Sequence, residues 1–375
     1  MAWVLTQHIS PDSLRVEVID GITVYRVGVV GLWRRVIRHL RRVSVVDFQT
    51  SYEKALRRRG IRRLFHWLKQ SCIQAFLALQ AIAFLWRRRR SISTLLCFFF
   101  SPLEAIVCSW ARRFGIPVIV RSATSRDYLF HDLVGRWQKE SLLQADRVVA
   151  ISEDIRKELL ALGVEDYRIR MIPNGVDVPK EEWKADAHHR YGAVCIANFS
   201  QQPLKGLDVL VEAWAIVVAK AHGPVHLVIC GRGNATSLIQ LAQRHGIREL
   251  IEFRGSVHDV TSILLQSDVF VLPSRVEGMS NALLEAMALG MPCVATSVSG
   301  SADLIDSGRN GVLVPVENPG ALAGAIVDVL SNPAMQVRIG LEARRTIERA
   351  YTTEVMARKY KALLEELSPD VSKPR

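Results

Sequence analysis

The chain of 375 residues has a globular composition, with 49% hydrophobic and 23% charged residues. At about 100–200 residues per domain it predicts two or three domains and excludes a disordered chain, a collagen, a coiled coil or a small disulfide scaffold. The net charge of +12 is uneven, because residues 1–150 hold 25 Lys or Arg and 10 Asp or Glu, and residues 151–375 hold 24 and 27. The first part, at +15, attracts an anionic partner: a membrane surface, nucleic acid or an anionic substrate.

The six cysteines lie far apart, and none forms a Cys-x-x-Cys pair. They are Cys72, Cys97, Cys108, Cys195, Cys230 and Cys293. This pattern predicts reduced, buried thiols in a cytosolic protein. The opening residues, MAWVLTQHISPDSL, lack the basic start and apolar run of a signal peptide, so we expect no secretory leader.

The first part of the chain mixes apolar runs with helical patterns and is predicted to be α/β. Its predicted strands lie at 23–30, 95–100, 117–121 and 147–151, and its predicted helices at 62–86, 102–114, 131–144 and 153–162. Within the first of these helices, residues 72–86 form an apolar stretch of 15 residues, shorter than the ~20 that cross a bilayer. Two interpretations stay open: an ordinary core helix, or a helix lying on an anionic membrane between the arginine clusters at 57–63 and 87–90.

The second part alternates wholly apolar runs with helical segments. Strands are predicted at 193–197, 226–230, 269–273 and 292–296, and helices at 206–220, 235–246, 260–266 and 281–289. Strands without polar alternation are buried on both faces, so this pattern predicts a doubly wound parallel sheet. A polar, turn-rich stretch at 174–192 separates the two parts. The predicted domains are 1–176, 177–351 and a C-terminal helix and tail at 352–375.

The stretch VFVLPSRVEGMSNALLEAMALGMPCVAT (269–296) carries the most information about function. An apolar strand ends at Pro273, Ser280 is a good N-cap for a helix, and Gly290 with Pro292 ends that helix. A helix N-terminus at the carboxyl edge of a parallel sheet is where ligands bind in open α/β folds. The free N–H groups of the turn 278–280 therefore predict a site for an anion such as a diphosphate.

Two carboxylates bracket this turn, Glu277 in the loop and Glu285 in the second turn of the helix. Glu285 stands in an otherwise apolar helix, where a carboxylate is costly unless it is hydrogen-bonded. A ribose diol would satisfy it, and Glu277 could accept from the hydroxyls of a second sugar. Lys205, before Gly206 at a helix start, could hold a phosphate as a point charge.

These motifs resemble those of the retaining glycosyltransferases of family four, which have the GT-B fold. The matching segments span roughly residues 115–367 and are VVAISEDIRKELLALGV with IPNGVD, the pair Lys205-Gly206, FRGSV, the stretch 269–296 with its Glu-x7-Glu spacing, and NGVLV. The resemblance implies two doubly wound, Rossmann-like domains that face a cleft. It also implies that the C-terminal helix crosses back onto the first domain.

The resemblance also implies roles for individual residues. Glu277 and Lys205 would act in catalysis, with Glu277 binding the transferred sugar. The donor would be bound by Glu285 at the ribose, by Lys205 and the amides of Gly278, Met279 and Ser280 at the diphosphate, and by Arg254 and Gly255 at the base. Asn198 and Gly206 would complete the donor-binding set. Asn198 stands near the position where the family has a phosphate-binding arginine, so half of the cationic clamp is missing or comes from elsewhere.

The implied reaction transfers a sugar from a nucleotide-diphosphate sugar to a glycan or lipid-linked acceptor in polysaccharide or glycoconjugate biosynthesis, an activity of the EC 2.4 type. No Asp-x-Asp motif is present and His188-His189 lacks ligand spacing, so we expect no metal and no other cofactor. The alternative is a non-catalytic relative that binds nucleotide-sugar or glycan or acts as a scaffold. We expect a cytoplasmic protein, peripheral at the inner face of the membrane, and no nucleic-acid partner, because no recognition motif accompanies the basic part.

The start of the chain departs from the family pattern. Family members begin with a strand, a Gly-rich loop and a helix, whereas AWVLT at residues 2–6 resembles the family's second strand. The first strand of such a sheet lies inside it, so its absence would leave strand edges unpaired. The sequence therefore predicts an incomplete N-terminal domain, through a truncation of roughly 30–40 residues, the length of a βα unit, or through a remodelled variant.

Overall fold

The structure is a computed structural model that describes residues 3–7, 16–19, 22–27, 78–97, 102–122, 133–185, 191–221 and 225–367. The arginine cluster at 57–63, Cys72 and the first part of the apolar stretch 72–86 lie outside these residues. Where strands and helices were predicted within the described residues, the structure has them, with ends that shift by a few residues.

Three strands near the start of the chain form a small sheet. They are β1 (Trp3–Gln7), β2 (Val16–Ile19) and β3 (Ile22–Val27). The central strand β3 pairs in parallel with β1 and antiparallel with β2. The expected strands AWVLT and 23–30 are thus present, whereas β2 was not predicted.

The next elements alternate as an α/β pattern requires. Helix α1 covers 78–88 and is followed by β4 (Leu95–Cys97), α2 (Pro102–Arg113), β5 (Val118–Ser122), α3 (Leu133–Leu143), β6 (Arg147–Ala150), α4 (Glu153–Ala161), a 3-10 turn (Asp166–Arg168) and β7 (Ile169–Met171). Strands β4 and β5 pair in parallel, and so do β6 and β7. Their apolar side chains are buried because helices cover them, as in other parallel sheets.

A six-stranded sheet forms the centre of the second part. Its strands are β8 (Tyr191–Ile196), β9 (Leu227–Cys230), β10 (Ile251–Arg254), β11 (Ser267–Leu272), β12 (Cys293–Thr296) and β13 (Val312–Val314). All neighbours pair in parallel, in the order β10-β9-β8-β11-β12-β13. The chain builds β8 to β10 towards one side and then returns to add β11 to β13 on the other. This is the strand order of a doubly wound nucleotide-binding sheet.

Helices cover this sheet and continue to the end of the described residues. They are α5 (Gln202–Lys205), α6 (Leu207–Lys220), α7 (Thr236–Arg244), α8 (Val260–Leu264), α9 (Asn281–Ala288), α10 (Ser299–Leu304), α11 (Pro319–Leu330), α12 (Pro333–Ala350) and α13 (Thr353–Leu367), with 3-10 turns at Phe199–Gln201 and Arg248–Leu250. The core beneath them is continuous from β8 to α12, with Trp214 of α6 fully buried at its centre. Burial of this apolar area is the main source of stability.

The chain divides into two compact units. One holds residues 1–120, 130–147 and 367–375, and the other holds 121–129 and 148–366. In the second unit, the start of α4 is tied to the end of α10 by Asp303, whose Oδ2 accepts a hydrogen bond from the Glu153 N–H at 2.7 Å. The domain boundaries after residues 176 and 351 stay predictions.

Gly206 allows the backbone of the second unit to pack closely against the residues that follow β11. Its φ of +59° lies in the left-handed region, and a Cβ there would sit 2.0 Å from the Pro273 carbonyl oxygen. An alanine would therefore meet both backbone strain and a backbone clash. Gly324 in helix α11 differs from Gly206, because a Cβ added there would have none of the described atoms within 4 Å.

We predict that Gly206→Ala lowers the free energy of unfolding by ~2 kcal/mol or more, because strain and clash add. Gly324→Ala is the matched control and should raise it by up to ~1 kcal/mol through a smaller loss of backbone entropy. Urea unfolding followed by circular dichroism measures both. Equal unfolding midpoints for the two variants would contradict the packing described for Gly206.

Candidate functional site

The strand order places a crevice at one point of the six-stranded sheet. Strands β8 and β11 are neighbours, but the connections that leave them run to opposite sides. Loops diverge at such a switch point and leave room for a ligand beyond the carboxyl ends of the strands. The predicted site residues at 198–206 follow β8, and those at 277–285 follow β11.

Lys205 and Glu277 are brought together at this crevice. The Lys205 ammonium lies 2.7 Å from Oε2 of Glu277, and the two side chains are only 18% and 12% exposed. Ser274 Oγ lies 3.3 Å from the same oxygen and donates a hydrogen bond to it. The sequence predicted that both charged groups face one ligand, and in the ligand-free protein they face each other.

Backbone hydrogen bonds explain how residues 72 positions apart meet. The Leu204 carbonyl in α5 accepts from the N–H groups of Arg275 and Val276, at 2.8 and 3.3 Å. The loop that follows β11 is thereby fixed to the helix that ends at Lys205. This attachment sets the distance between the two charged side chains.

Arg275 anchors the same loop from its outer side. Its guanidinium binds both carboxylate oxygens of Asp208 at 2.8 and 2.9 Å, and Glu317 at 2.8 Å. Burial works against the charged form of Asp208, but hydrogen bonding to Arg275 prevails and lowers the pKa of this carboxyl group. The guanidinium of Arg275 therefore serves to hold the loop after β11 in place.

The turn before α9 has the N-cap that the sequence predicted. Ser280 is the N-cap, and its Oγ accepts from the Leu283 N–H at 3.3 Å. Within the described residues, none of the three preceding amides, at Gly278, Met279 and Ser280, donates a hydrogen bond. Free amides at a helix N-terminus attract anions.

Two further contacts hold this turn in place. A Cβ at Gly300 would lie 2.2 Å from the Gly278 carbonyl oxygen, so only glycine permits the close approach of α10. On the other side, Asn174 donates from Nδ2 to Asn281 Oδ1 at 2.8 Å and accepts from the Arg121 guanidinium. The amides of the turn are thus held in position before a ligand arrives.

Glu285 points from α9 into a half-buried position. Burial raises the pKa of its carboxyl group, and this is the one cause that acts on it. Across the residues that the structure describes, the carboxylate has neither a hydrogen bond nor an ion pair. The protein therefore bears the desolvation cost of a carboxylate that a bound hydroxyl pair would satisfy.

The remaining predicted residues lie on the adjoining loops. Asn198 accepts from the Ser200 N–H and hydroxyl at 3.2 and 2.8 Å, so its side chain closes a local turn. The backbone carbonyls of Arg254 and Gly255 accept from the Gly231 N–H, both at 3.2 Å. The Arg254 guanidinium turns back along its strand to Glu252, at 2.5 Å.

Sequence reasoning missed several residues of this region. Ser274 and Asn174 contact predicted site residues, and no spacing rule distinguishes them from ordinary loop positions. Arg232 lies between two glycines in the loop after β9, and its carbonyl accepts from the Phe199 N–H at 2.8 Å. Its side chain is exposed and makes no ion pair with any described residue.

The second unit is a doubly wound α/β structure with a parallel six-stranded sheet. Residues 190–332 match the family model described as glycosyl transferases group 1, and residues 27–180 match the model described as glycosyltransferase family 4. The chain belongs to glycosyltransferase family 4, as the sequence motifs indicated.

Curated relatives are similar over part of their length. N-acetyl-alpha-D-glucosaminyl L-malate synthase from Bacillus anthracis is 27% identical over 230 residues, which cover 59% of each chain. A D-inositol 3-phosphate glycosyltransferase from Geodermatophilus obscurus is 33% identical over 215 residues, covering 52% of this chain and 47% of its own. The chain spans about half to three fifths of the length of the curated relatives it matches.

Solved structures share the fold at low sequence identity. Sucrose-phosphate synthase from Thermosynechococcus elongatus superposes with a TM-score of 0.71 at 19% identity, covering 97% of this chain and 88% of that one. HepE from Anabaena, solved in complex with UDP, gives a TM-score of 0.68 at 17% identity, covering 77% and 82%. The predicted GT-B fold is confirmed.

At Glu285, an effect on ligand binding can be distinguished from an effect on protein stability. The pKa of Glu285 is higher in the folded protein than in the unfolded chain, so folding favours the protonated form. At any pH above the raised pKa, the charged carboxylate therefore lowers the free energy of unfolding. We predict that Glu285→Gln melts at a higher temperature than the parent protein at neutral pH, and that the two melting temperatures converge in acid. Calorimetric melting from pH 4 to pH 8 measures this. A variant that is less stable throughout would show that the carboxylate has a structural partner.

Proposed function

We propose that this protein is a retaining glycosyltransferase that moves a sugar from a nucleotide-diphosphate sugar to a glycan or lipid-linked acceptor. The observation that carries the proposal is the juxtaposition of the Lys205–Glu277 pair with the free amides of 278–280 at the switch point. Cationic and N–H groups around one space suit a diphosphate, and carboxylates beside it suit sugar hydroxyls.

Each donor group has a residue to receive it. Glu285 accepts the two ribose hydroxyls, which supply the hydrogen bonds that its buried carboxylate lacks. Lys205 and the amides of residues 278–280 hold the diphosphate. Gly206, which follows Lys205, allows the lysine to approach the diphosphate closely. The loop at Arg254 and Gly255 lines the base, and the Asn198 turn supports the loop that carries Lys205. Glu277 binds the sugar.

The reaction breaks the bond between the anomeric carbon and the diphosphate oxygen while negative charge builds on the leaving group. Lys205 and the fixed amides stabilise that charge as it develops, which lowers the barrier. The acceptor oxygen bonds to the anomeric carbon on the same face, and its proton passes to the leaving phosphate. Because lysine and amides supply the positive potential, we propose that no metal or other cofactor takes part.

The acceptor and the pathway are proposed from the names of related proteins. The curated relatives reported above are named N-acetyl-alpha-D-glucosaminyl L-malate synthase and D-inositol 3-phosphate glycosyltransferase. A structure of Staphylococcus aureus TarM holds UDP and alpha-GlcNAc-glycerol. These names favour an enzyme of polysaccharide or glycoconjugate biosynthesis and give no support to the non-catalytic alternative.

We predict that Lys205→Gln weakens the binding of a nucleoside diphosphate and lowers donor turnover by about 10²–10³-fold, since one charge-stabilising group is lost. Lys220→Gln is the matched control, because Lys220 is an exposed lysine at the far end of α6. Thermal-shift screening of UDP, ADP, GDP and their sugars selects the donor, and donor hydrolysis with and without a chelator measures turnover. A folded parent protein that binds no donor would refute the proposed function.

We also propose that the protein attaches to the inner face of an anionic membrane through helix α1. Leu79, Ala83 and Trp86 form an exposed, wholly apolar stripe on this helix, and Trp86 is 54% exposed. Arg89 lies over the Trp86 ring at 5.2 Å, within the basic run 87–90. An apolar stripe that ends in a tryptophan and arginines suits a helix lying at a lipid interface.

The cysteines support a cytoplasmic location. The described cysteines are all free thiols and buried. Cys97 and Cys108 lie with their sulfur atoms 3.3 Å apart, yet they are unbonded. Thiols this close stay reduced in a reducing compartment. Among the described residues, no helix is both long and apolar enough to cross a bilayer.

We predict that the protein sediments with vesicles of phosphatidylcholine and phosphatidylglycerol and does so less as salt rises. Each arginine near the surface contributes ~1 kcal/mol, so replacing Arg87 to Arg90 by Gln should reduce binding at least tenfold. Trp86→Ser should reduce it further, whereas Val337→Ser, an exposed apolar position on α12, is the control. Equal binding to vesicles of phosphatidylcholine alone would contradict the electrostatic attachment.

A further inference from the structure

The Lys205–Glu277 pair raises a question about ligand preference, because both partners are assigned to the donor and yet hold each other. We propose that Glu277 changes partner when the donor binds, and that this exchange makes the site favour a sugar-bearing nucleoside diphosphate over the bare one. The inference rests on the proposed function and adds a discriminating role for the ion pair, with Ser274 as its positioning residue.

The pair is a substantial interaction in the ligand-free protein. A separation of 2.7 Å is that of a charge-assisted hydrogen bond, and exposures of 18% and 12% mean that water screens it little. Ser274 Oγ donates to the same carboxylate oxygen, while Oε1 of Glu277 has no partner in the described part of the chain. Glu277 thus has one oxygen saturated by two donors and one oxygen ready to accept.

Arg275 lies in the same loop as Glu277 but is not available to replace Lys205. Arg275, two residues before Glu277, is engaged by Asp208 and Glu317. A bare diphosphate that draws Lys205 away would leave the Glu277 carboxylate poorly solvated and close to further negative charge. If the Lys205–Glu277 pair stays intact instead, the diphosphate shares the positive charge of Lys205 with the Glu277 carboxylate. Either outcome weakens the binding of the bare nucleotide.

A sugar on the diphosphate removes this penalty. Its hydroxyl groups are donors at the place where Glu277 needs them, so the carboxylate gives up Lys205 without losing its hydrogen bonds. Lys205 then faces the phosphate alone. After transfer the hydroxyls depart with the acceptor, Glu277 recovers Lys205, and the weakened hold on the diphosphate favours product release.

Ser274 fixes the carboxylate in the position from which it can reach both partners. Its side chain is buried at the end of β11, and its carbonyl accepts from Thr296 Oγ1 on β12 at 2.5 Å. Because Oε2 is oriented by Ser274, Oε1 is directed away from this contact. Ser274 acts through Glu277 and has no assigned contact with the donor.

Isothermal calorimetry on the full chain tests the exchange, with UDP and UDP-glucose, ADP and ADP-glucose, and GDP and GDP-mannose as probes. For the pair that binds, Glu277→Gln should tighten binding of the bare diphosphate about tenfold, because the amide neither holds Lys205 by charge nor repels phosphate. Binding of the sugar form should change less or weaken. The preference for the sugar form should therefore fall by about ten- to a hundredfold.

Two other variants separate discrimination from folding and from general donor binding. Glu285→Gln should weaken both forms of the probe equally, because the ribose is common to them, and should leave the preference unchanged. Ser274→Ala should reduce the preference severalfold, and Ser274→Thr should restore it. Thermal melting of each variant confirms that it is folded.

The possible results are distinguishable. A preference that stays within twofold of the parent value in Glu277→Gln, or equal weakening of both forms, would overturn the exchange while the donor site stands. If the folded parent protein binds none of the six probes, the proposed function fails and the exchange with it.

Discussion

The reversal of strand order between β8 and β11 is the constraint on which the site depends. The four central strands of this sheet, β8, β9, β11 and β12, are buried almost throughout, so the interior admits few polar groups. Charged side chains are therefore confined to the loops at the strand ends. Because connections diverge only at the switch point, Lys205 in the segment after β8 meets Glu277 in the loop after β11 at that edge.

The polar groups at this edge are held in position at an energetic cost. Arg275 and Leu204 bind the loop that carries Glu277 to the helix that carries Lys205, and Gly300 lets α10 approach the amide turn. The cost is seen at Glu285, whose half-buried carboxylate has no hydrogen-bond or ion-pair partner among the described residues. Burial raises the pKa of this carboxyl group. Unsatisfied groups of this kind are typical of sites whose missing partner is a ligand.

Charge separates the two parts of the chain in a way that matches their proposed tasks. The first 150 residues carry +15 and present the apolar stripe of α1 beside four arginines, whereas the remainder is nearly neutral. A diphosphate would be held by one lysine and backbone amides, which need no large basic surface. The excess positive charge is thus better matched to a lipid surface than to the donor.

The sequence by itself determined the fold class, most of the strands, the cap at Ser280 and the family. Wholly apolar runs, caps and glycines are local signals, and a buried sheet leaves them little freedom. It did not identify β2, β7, β10 or β13. These strands have only three or four residues, and the last three of them are only partly buried, so the apolar runs are too short to stand out.

Only the tertiary structure decided how the site residues are paired. Lys205 and Glu277 are 72 positions apart, and their 2.7 Å contact arises because the Leu204 carbonyl binds the loop after β11. No spacing rule predicts the Ser274 contact or the Asn174 bridge to Asn281, since each depends on loops that the sheet brings together. The residue types at an edge follow from local sequence, but their partners follow from the order of the strands, which long-range packing sets.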